Sequence, residues 1–174
     1  MRLLIANFDK QSIVSQEEVI GAVRRLPKSH YANIQAIRYD PKRTLATAVS
    51  ALQNRPSSPR TSGFFYHEHE YGLSVIVLFR FRSRKEFHHI LYHEIGHFVF
   101  LKVLQQGLRD EWFSLRRGEK RCVSHEARRN AREDFAETYA YYCTTPVRLS
   151  TVPRKRAFIR DSVFQGITLE PLSP

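Results

Sequence analysis

The stretch HHILYHEIGHFVFLKVL, residues 88 to 104, constrains this chain more than any other. Leu91, Ile95, Phe98, Val99 and Leu101 give it the apolar face of a buried helix. Such a helix has no use for bare ionisable groups, because an imidazole or carboxylate taken out of water without a partner costs free energy. Yet His93, Glu94 and His97 interrupt it, together with Gly96, a residue that costs a helix about 1 kcal/mol relative to Ala. Residues i and i+4 lie one turn apart on the same helix face. His93 and His97 can therefore hold one cation from one side. Glu94 is offset around the helix, where it can reach a water on that cation. This is the physical sense of the HExxH zinc motif. A bound cation offsets the cost of burying the imidazoles. The missing side chain at Gly96 predicts that another element packs close to the helix backbone.

A catalytic zinc site needs a third protein ligand if one position is to stay open for water. The histidine-rich extension HExxHxxGxxH is absent, since position 103 is Val and no His follows until His125. The acidic candidates are Glu133 and Glu137, again i and i+4, in a helix otherwise rich in apolar residues: Phe135, Ala136, Tyr139 and Ala140. One of the two can bind the ion while the other braces a ligand imidazole through its second nitrogen.

The surrounding pattern reads as an α+β domain. Ser15 and Glu18 have capping-box spacing and open a helix to about Leu26, and Asn33 to Tyr39 reads as a short strand. Residues 43 to 53 look helical, and 53 to 63 form a polar loop rich in Pro and Ser. The run GFFYHEHEYGLSVIVLFRFR predicts a β-hairpin with Gly72 at its turn, the second strand spanning Leu73 to Phe81. Ser83 and Glu86 cap the motif helix, which should run to about Gln105. Residues 107 to 129 read as irregular and basic. A helix follows Asn130, and a last short one begins after Pro153 and ends near Phe164. Strands first and helices after indicate α+β rather than α/β, and 174 residues suit one domain over residues 1–174.

Two cysteines, Cys122 and Cys143, are too few for a disulfide framework or a four-cysteine zinc ribbon. The apolar run in MRLLIANFDKQ is too short for a signal peptide, and no stretch approaches the ~20 apolar residues of a membrane span. The expectation is a cytoplasmic or non-classically exported protein. The net charge of +11 permits nucleic acid, acidic proteins or anionic surfaces as partners without choosing among them.

LYHEIGH followed by NAREDFAETYAYY resembles the gluzincin metallopeptidases of the anthrax lethal factor type, including the Pro-Pro endopeptidases, which pair HExGH with a downstream ExFAE helix. The resemblance covers roughly residues 60 to 145. It implies a compact zincin-like fold, with a small mixed sheet or hairpin packed on the HExxH helix and a second helix carrying the third ligand. It also implies a zinc-dependent endopeptidase acting on a peptide or protein substrate. His93, His97 and Glu133 would be the zinc ligands, Glu94 the general base, and Glu137 the residue behind a ligand. The family places an oxyanion-stabilising tyrosine seven residues before the third ligand. Here Ser124-His125-Glu126-Ala127 puts Glu126 at that position, and the neighbouring His125 is the expected substitute donor.

The departure at Glu126 motivates an alternative: a catalytically impaired, zinc-stabilised binding module whose basic surface engages nucleic acid or acidic partners. His67 and His69 read as decoration of the hairpin tip. His89, one turn before His93 on the same face, reads as packing or solvent-exposed, the alternative being a group that backs the metal ligands. Most of the Arg-rich run from Arg116 to Arg132 reads as a solvated face.

Overall fold

The computed structural model describes residues 3–44, 62–68 and 72–169. The expected helix over 43–53 and the loop after it fall largely outside these residues. The strands are β1 (Leu4–Ala6), β2 (Ala36–Tyr39), β3 (Gly63–Glu68) and β4 (Leu73–Leu78). They form one four-stranded sheet in the order β1-β2-β4-β3. β1 with β2 and β2 with β4 are parallel, and β3 with β4 is antiparallel, so the sheet is mixed. The expected hairpin is present, with Gly63 opposite Leu78, Glu68 opposite Leu73, and Gly72 at a φ of 60° in the turn. β1 was not evident in the sequence. Three residues carry too short a pattern, and only pairing with β2 makes them a strand.

The helices are α1 (Gln16–Arg24), α2 (Arg84–Phe98), α3 (Gln106–Gly118), α4 (Ala131–Thr144) and α5 (Pro153–Phe158). The expected caps are present. Ser15 and Glu18 close a full capping box, Ser83 accepts from the backbone of Glu86, and the Asn130 side chain accepts from Arg132 and Glu133. α2 ends sooner than expected. It passes into a π-turn over Val99–Val103, and the chain breaks to extended backbone at Leu104. The irregular reading of 107–129 is corrected in part, because α3 occupies Gln106–Gly118. Gly107 opens this helix instead of following the previous one. Leu108, Trp112 and Leu115 are its inward residues, and Trp112 is fully buried, its indole N–H donating to the Ala131 carbonyl at 2.9 Å.

One sheet face, with Ile5, Ile37, Ile76 and Leu78, joins the main core beneath α2 and α4. Leu91, Ile95 and Phe98 of α2 meet Phe135, Tyr139 and Ala140 of α4 there. Among the described residues, no helix is long and apolar enough to cross a membrane.

Candidate metal centre

The close approach of α2 and α4 builds the centre. A Cβ on Gly96 would stand 3.0 Å from the Ala136 Cα, 3.3 Å from its carbonyl oxygen and 3.3 Å from the Tyr139 Cβ. A side chain there would press on the α4 backbone, which is the close packing at Gly96 that the sequence suggested. Beside this contact, the two helices face each other with His93 and His97 on one and Glu133 and Glu137 on the other.

Three donor atoms converge. His93 Nε2 and His97 Nε2 are 3.0 Å apart, and Glu133 Oε2 lies 3.3 Å from the first and 3.6 Å from the second. A tetrahedral zinc with ligands at about 2.0–2.1 Å has ligand–ligand edges of about 3.3–3.4 Å. The observed triangle matches that size, so these residues fit the ion that the motif implies. All three side chains remain partly exposed, at 14% for His93, 17% for His97 and 22% for Glu133, which leaves an approach from solvent.

Glu137 stands behind His93. Its Oε1 accepts from His93 Nδ1 at 2.8 Å and is 3.1 Å from His89 Nε2. The Nδ1 contact with Glu137 fixes the ring so that Nε2 faces the cluster, the orientation that a ligand imidazole requires. The two acids take different positions, as the resemblance implies: Glu133 lies near the Nε2 atoms of both His93 and His97, and Glu137 meets His93 only at Nδ1. His89 is neither simple packing nor solvent decoration, because it hydrogen-bonds Glu137 and lies against Tyr141 at 4.7 Å between ring centroids. Its signal was available in the sequence, four residues before His93 on the same face.

The electrostatics follow from this packing. Burial opposes charge on His93, but hydrogen bonds to Glu133 and Glu137 and the field of Glu94 outweigh it and raise its pKa to about 10. Burial favours neutral Glu133 and Glu137, yet their histidine partners hold both well below the usual carboxylate range. Glu94 is 6% exposed, and burial pushes its carboxyl up against the opposing fields of His93 and His97.

Glu94 leans on the edge strand. Its Oε1 is 2.6 Å from where a Gly63 Cβ would be. Gly63 is a packing position at the candidate site that sequence reading missed. As the first residue of β3 it resembled ordinary turn punctuation, and only the packing of α2 on the strand reveals its role.

His125 is not drawn in. It caps the short 3-10 turn Glu126–Arg128, is exposed, and joins neither His93, His97 nor Glu133 in the cluster. Glu126 is also exposed and pairs with Arg129 at 2.9 Å. His67 faces Ser74 at 3.0 Å on the hairpin, while His69 lies outside the described residues. Comparison with protein-family models, characterised proteins and solved structures found no match to this chain.

Proposed function

We propose that the protein is a zinc-dependent endopeptidase with a zincin-like arrangement, the activity its two motifs resemble. The observation that carries this reading is the His93–His97–Glu133 triangle, of tetrahedral zinc size and open to solvent on one side. Zinc held there would supply Lewis acidity, polarising a peptide carbonyl and easing deprotonation of water. Glu94 then acts as proton carrier, taking a proton from the attacking water and giving it to the leaving amine. Its raised affinity for protons suits that exchange. Glu137 fixes the ring of His93 and keeps its Nε2 turned inward.

The sheet supports one place for the substrate in this reading. Among the described residues, β3 pairs only with β4 and no described strand covers its other edge; the Glu94 carboxylate rests against the same strand. An extended peptide added along that edge would bring its carbonyls toward Glu94.

The test combines metal analysis with Glu94→Gln in a peptide-library assay. Zinc near one equivalent in both proteins, with cleavage by the parent alone, is the expected result. Protein that is metal-free when purified without chelator, and that takes up no zinc at micromolar concentration, would overturn the reading. The exposed His125 and the Glu126–Arg129 pair favour a second reading, a zinc-stabilised binding module without catalysis. Stoichiometric zinc with no cleavage of any library peptide selects it.

A further inference from the structure

Away from the zinc helix, a cleft of about 810 Å³ opens between the loop after α3 and the 3-10 turn Pro146–Thr151. Lys120, Arg121, Arg128 and Arg148 line it, with Ser150 beside them. We propose that this cleft binds a small ligand carrying two or more adjacent phosphoryl groups. The proposal rests on these residues alone and not on the metal centre.

Lys120, Arg121, Arg128 and Arg148 are all exposed, so solvent screens their mutual repulsion, but together they hold a positive potential over the cleft. Here no acid relieves them. Among the described residues, Lys120, Arg121, Arg128 and Arg148 make no ion pair with a carboxylate. Arg148 lies over the Tyr141 ring at 5.1 Å, and the side chain of Arg128 has no hydrogen bond. The acids on adjoining segments are already engaged. Asp134 faces Lys155 at 2.8 Å and Arg116 at 3.3 Å, Glu126 holds Arg129, and Glu119 accepts from the Lys155 backbone at 3.2 Å. The buried layer behind the loop is not negative either, since Lys155 and Arg116 share the one carboxylate of Asp134. Lys155 also donates to the Arg121 carbonyl at 2.5 Å, which ties the loop to this layer. Within the loop, the backbone N–H groups of residues 120–124 make no hydrogen bond among the described residues and remain available as donors.

The chemistry of the donors selects the ligand. Guanidinium groups present forked N–H pairs that match phosphoryl oxygens two at a time, and a lysine adds a mobile point charge. Four unopposed cations suit a chain of phosphates better than a single carboxylate. The volume falls within the ~300–1,000 Å³ of small-ligand sites. A concave pocket also differs from the extended basic groove that follows a nucleic-acid backbone.

Calorimetric titration of the full chain with sodium tripolyphosphate, near physiological ionic strength, tests the proposal. Saturable one-site binding is expected, unchanged in chelator-treated protein, so failure of the zinc reading would leave this result standing. Arg121→Gln combined with Arg148→Gln should weaken it on the order of tenfold or more. Arg24→Gln, exposed on α1, should leave it unchanged. ATP binding more tightly than tripolyphosphate would assign a nucleotide, and equal affinity the bare phosphate chain; both outcomes support the site. No saturable binding, equal weakening by Arg24→Gln, or a short DNA duplex that binds and is not displaced by tripolyphosphate would overturn it.

Discussion

The Ala136 Cα lies 3.0 Å from the point a Cβ on Gly96 would occupy, and this contact sets how closely the two halves of the candidate metal centre approach. Helix propensity alone favours Gly96→Ala by about 1 kcal/mol. Backbone cannot yield as a flexible side chain can, so overpacking of about 1–3 kcal/mol should win. The variant should melt at lower temperature and bind zinc roughly tenfold more weakly, because Glu133 is carried away from the imidazoles. Gly21 in α1 has nothing within 4 Å of its virtual Cβ. Gly21→Ala should therefore stabilise by up to about 1 kcal/mol. Thermal melts of the pair separate packing from propensity; a stabilised Gly96→Ala variant would show that the interhelical contact is slack.

Glu137 offers a second check on the centre. Glu137→Gln keeps the shape but removes the charge that holds the Nδ1 proton of His93. Losing such a partner typically costs 10–100-fold in metal affinity. Competition with a chromophoric chelator should show a loss in that range, and Glu126→Gln, exposed and outside the cluster, should show none. Equal affinities for parent and Glu137→Gln would remove Glu137 from the site.

Much of this centre was legible because its spacing is local. HExxH and ExFAE each place two groups on one helix face, and a face is a property of period, not of fold. The caps at Ser15, Ser83 and Asn130 were legible for the same reason. What could not be read depends on contacts distant in sequence. β1 exists because residues 4–6 pair with 36–38. Gly63 matters because Glu94, over thirty residues later, lies against it. α3 was missed because Gly107 looked like a stop and no side chain caps Gln105, while the burial of Trp112 against Ala131 overrides that weak beginning. Nothing in the local pattern of the last helix marks Lys155 as interior, yet it is fully buried beside Asp134.

That buried pair gives a stability prediction. Lys155 Nζ is 2.8 Å from Asp134 Oδ2 and both side chains are wholly enclosed. Neither Asp134 oxygen has a well-formed hydrogen bond, so the lysine charge is its main compensation, with Arg116 at 3.3 Å the other. Lys155→Met should therefore cost about 3–5 kcal/mol, the usual penalty for stranding one member of a buried pair. Adding Asp134→Asn should recover part of the loss, since no charge is then left behind. Urea denaturation of both variants checks this; a double variant no more stable than Lys155→Met would mean that the two residues are uncoupled.

His30 makes stability depend on pH. It is 2% exposed, stands 5.0 Å from the Phe164 ring centroid, and sits between the Tyr139 hydroxyl at 2.9 Å from Nδ1 and the Val163 carbonyl at 3.2 Å from Nε2. Nε2 donates to the carbonyl, so Nδ1 accepts from the tyrosine, and the ring is held neutral. Burial, only partly opposed by the Val163 hydrogen bond, lowers its pKa from 6.5 to about 4. The folded state thus binds this proton less readily than the unfolded chain. Its contribution is present above pH 6.5 and is lost as pH falls toward 4. At 1.36 kcal/mol per unit, the loss between pH 7 and pH 4 is roughly 2–3 kcal/mol. Urea denaturation across that range, on the parent and on His30→Gln, isolates the histidine from titrating carboxylates common to both. The parent should lose roughly 2–3 kcal/mol more than the variant. Parallel pH profiles would mean that His30 already carries its proton in the folded protein.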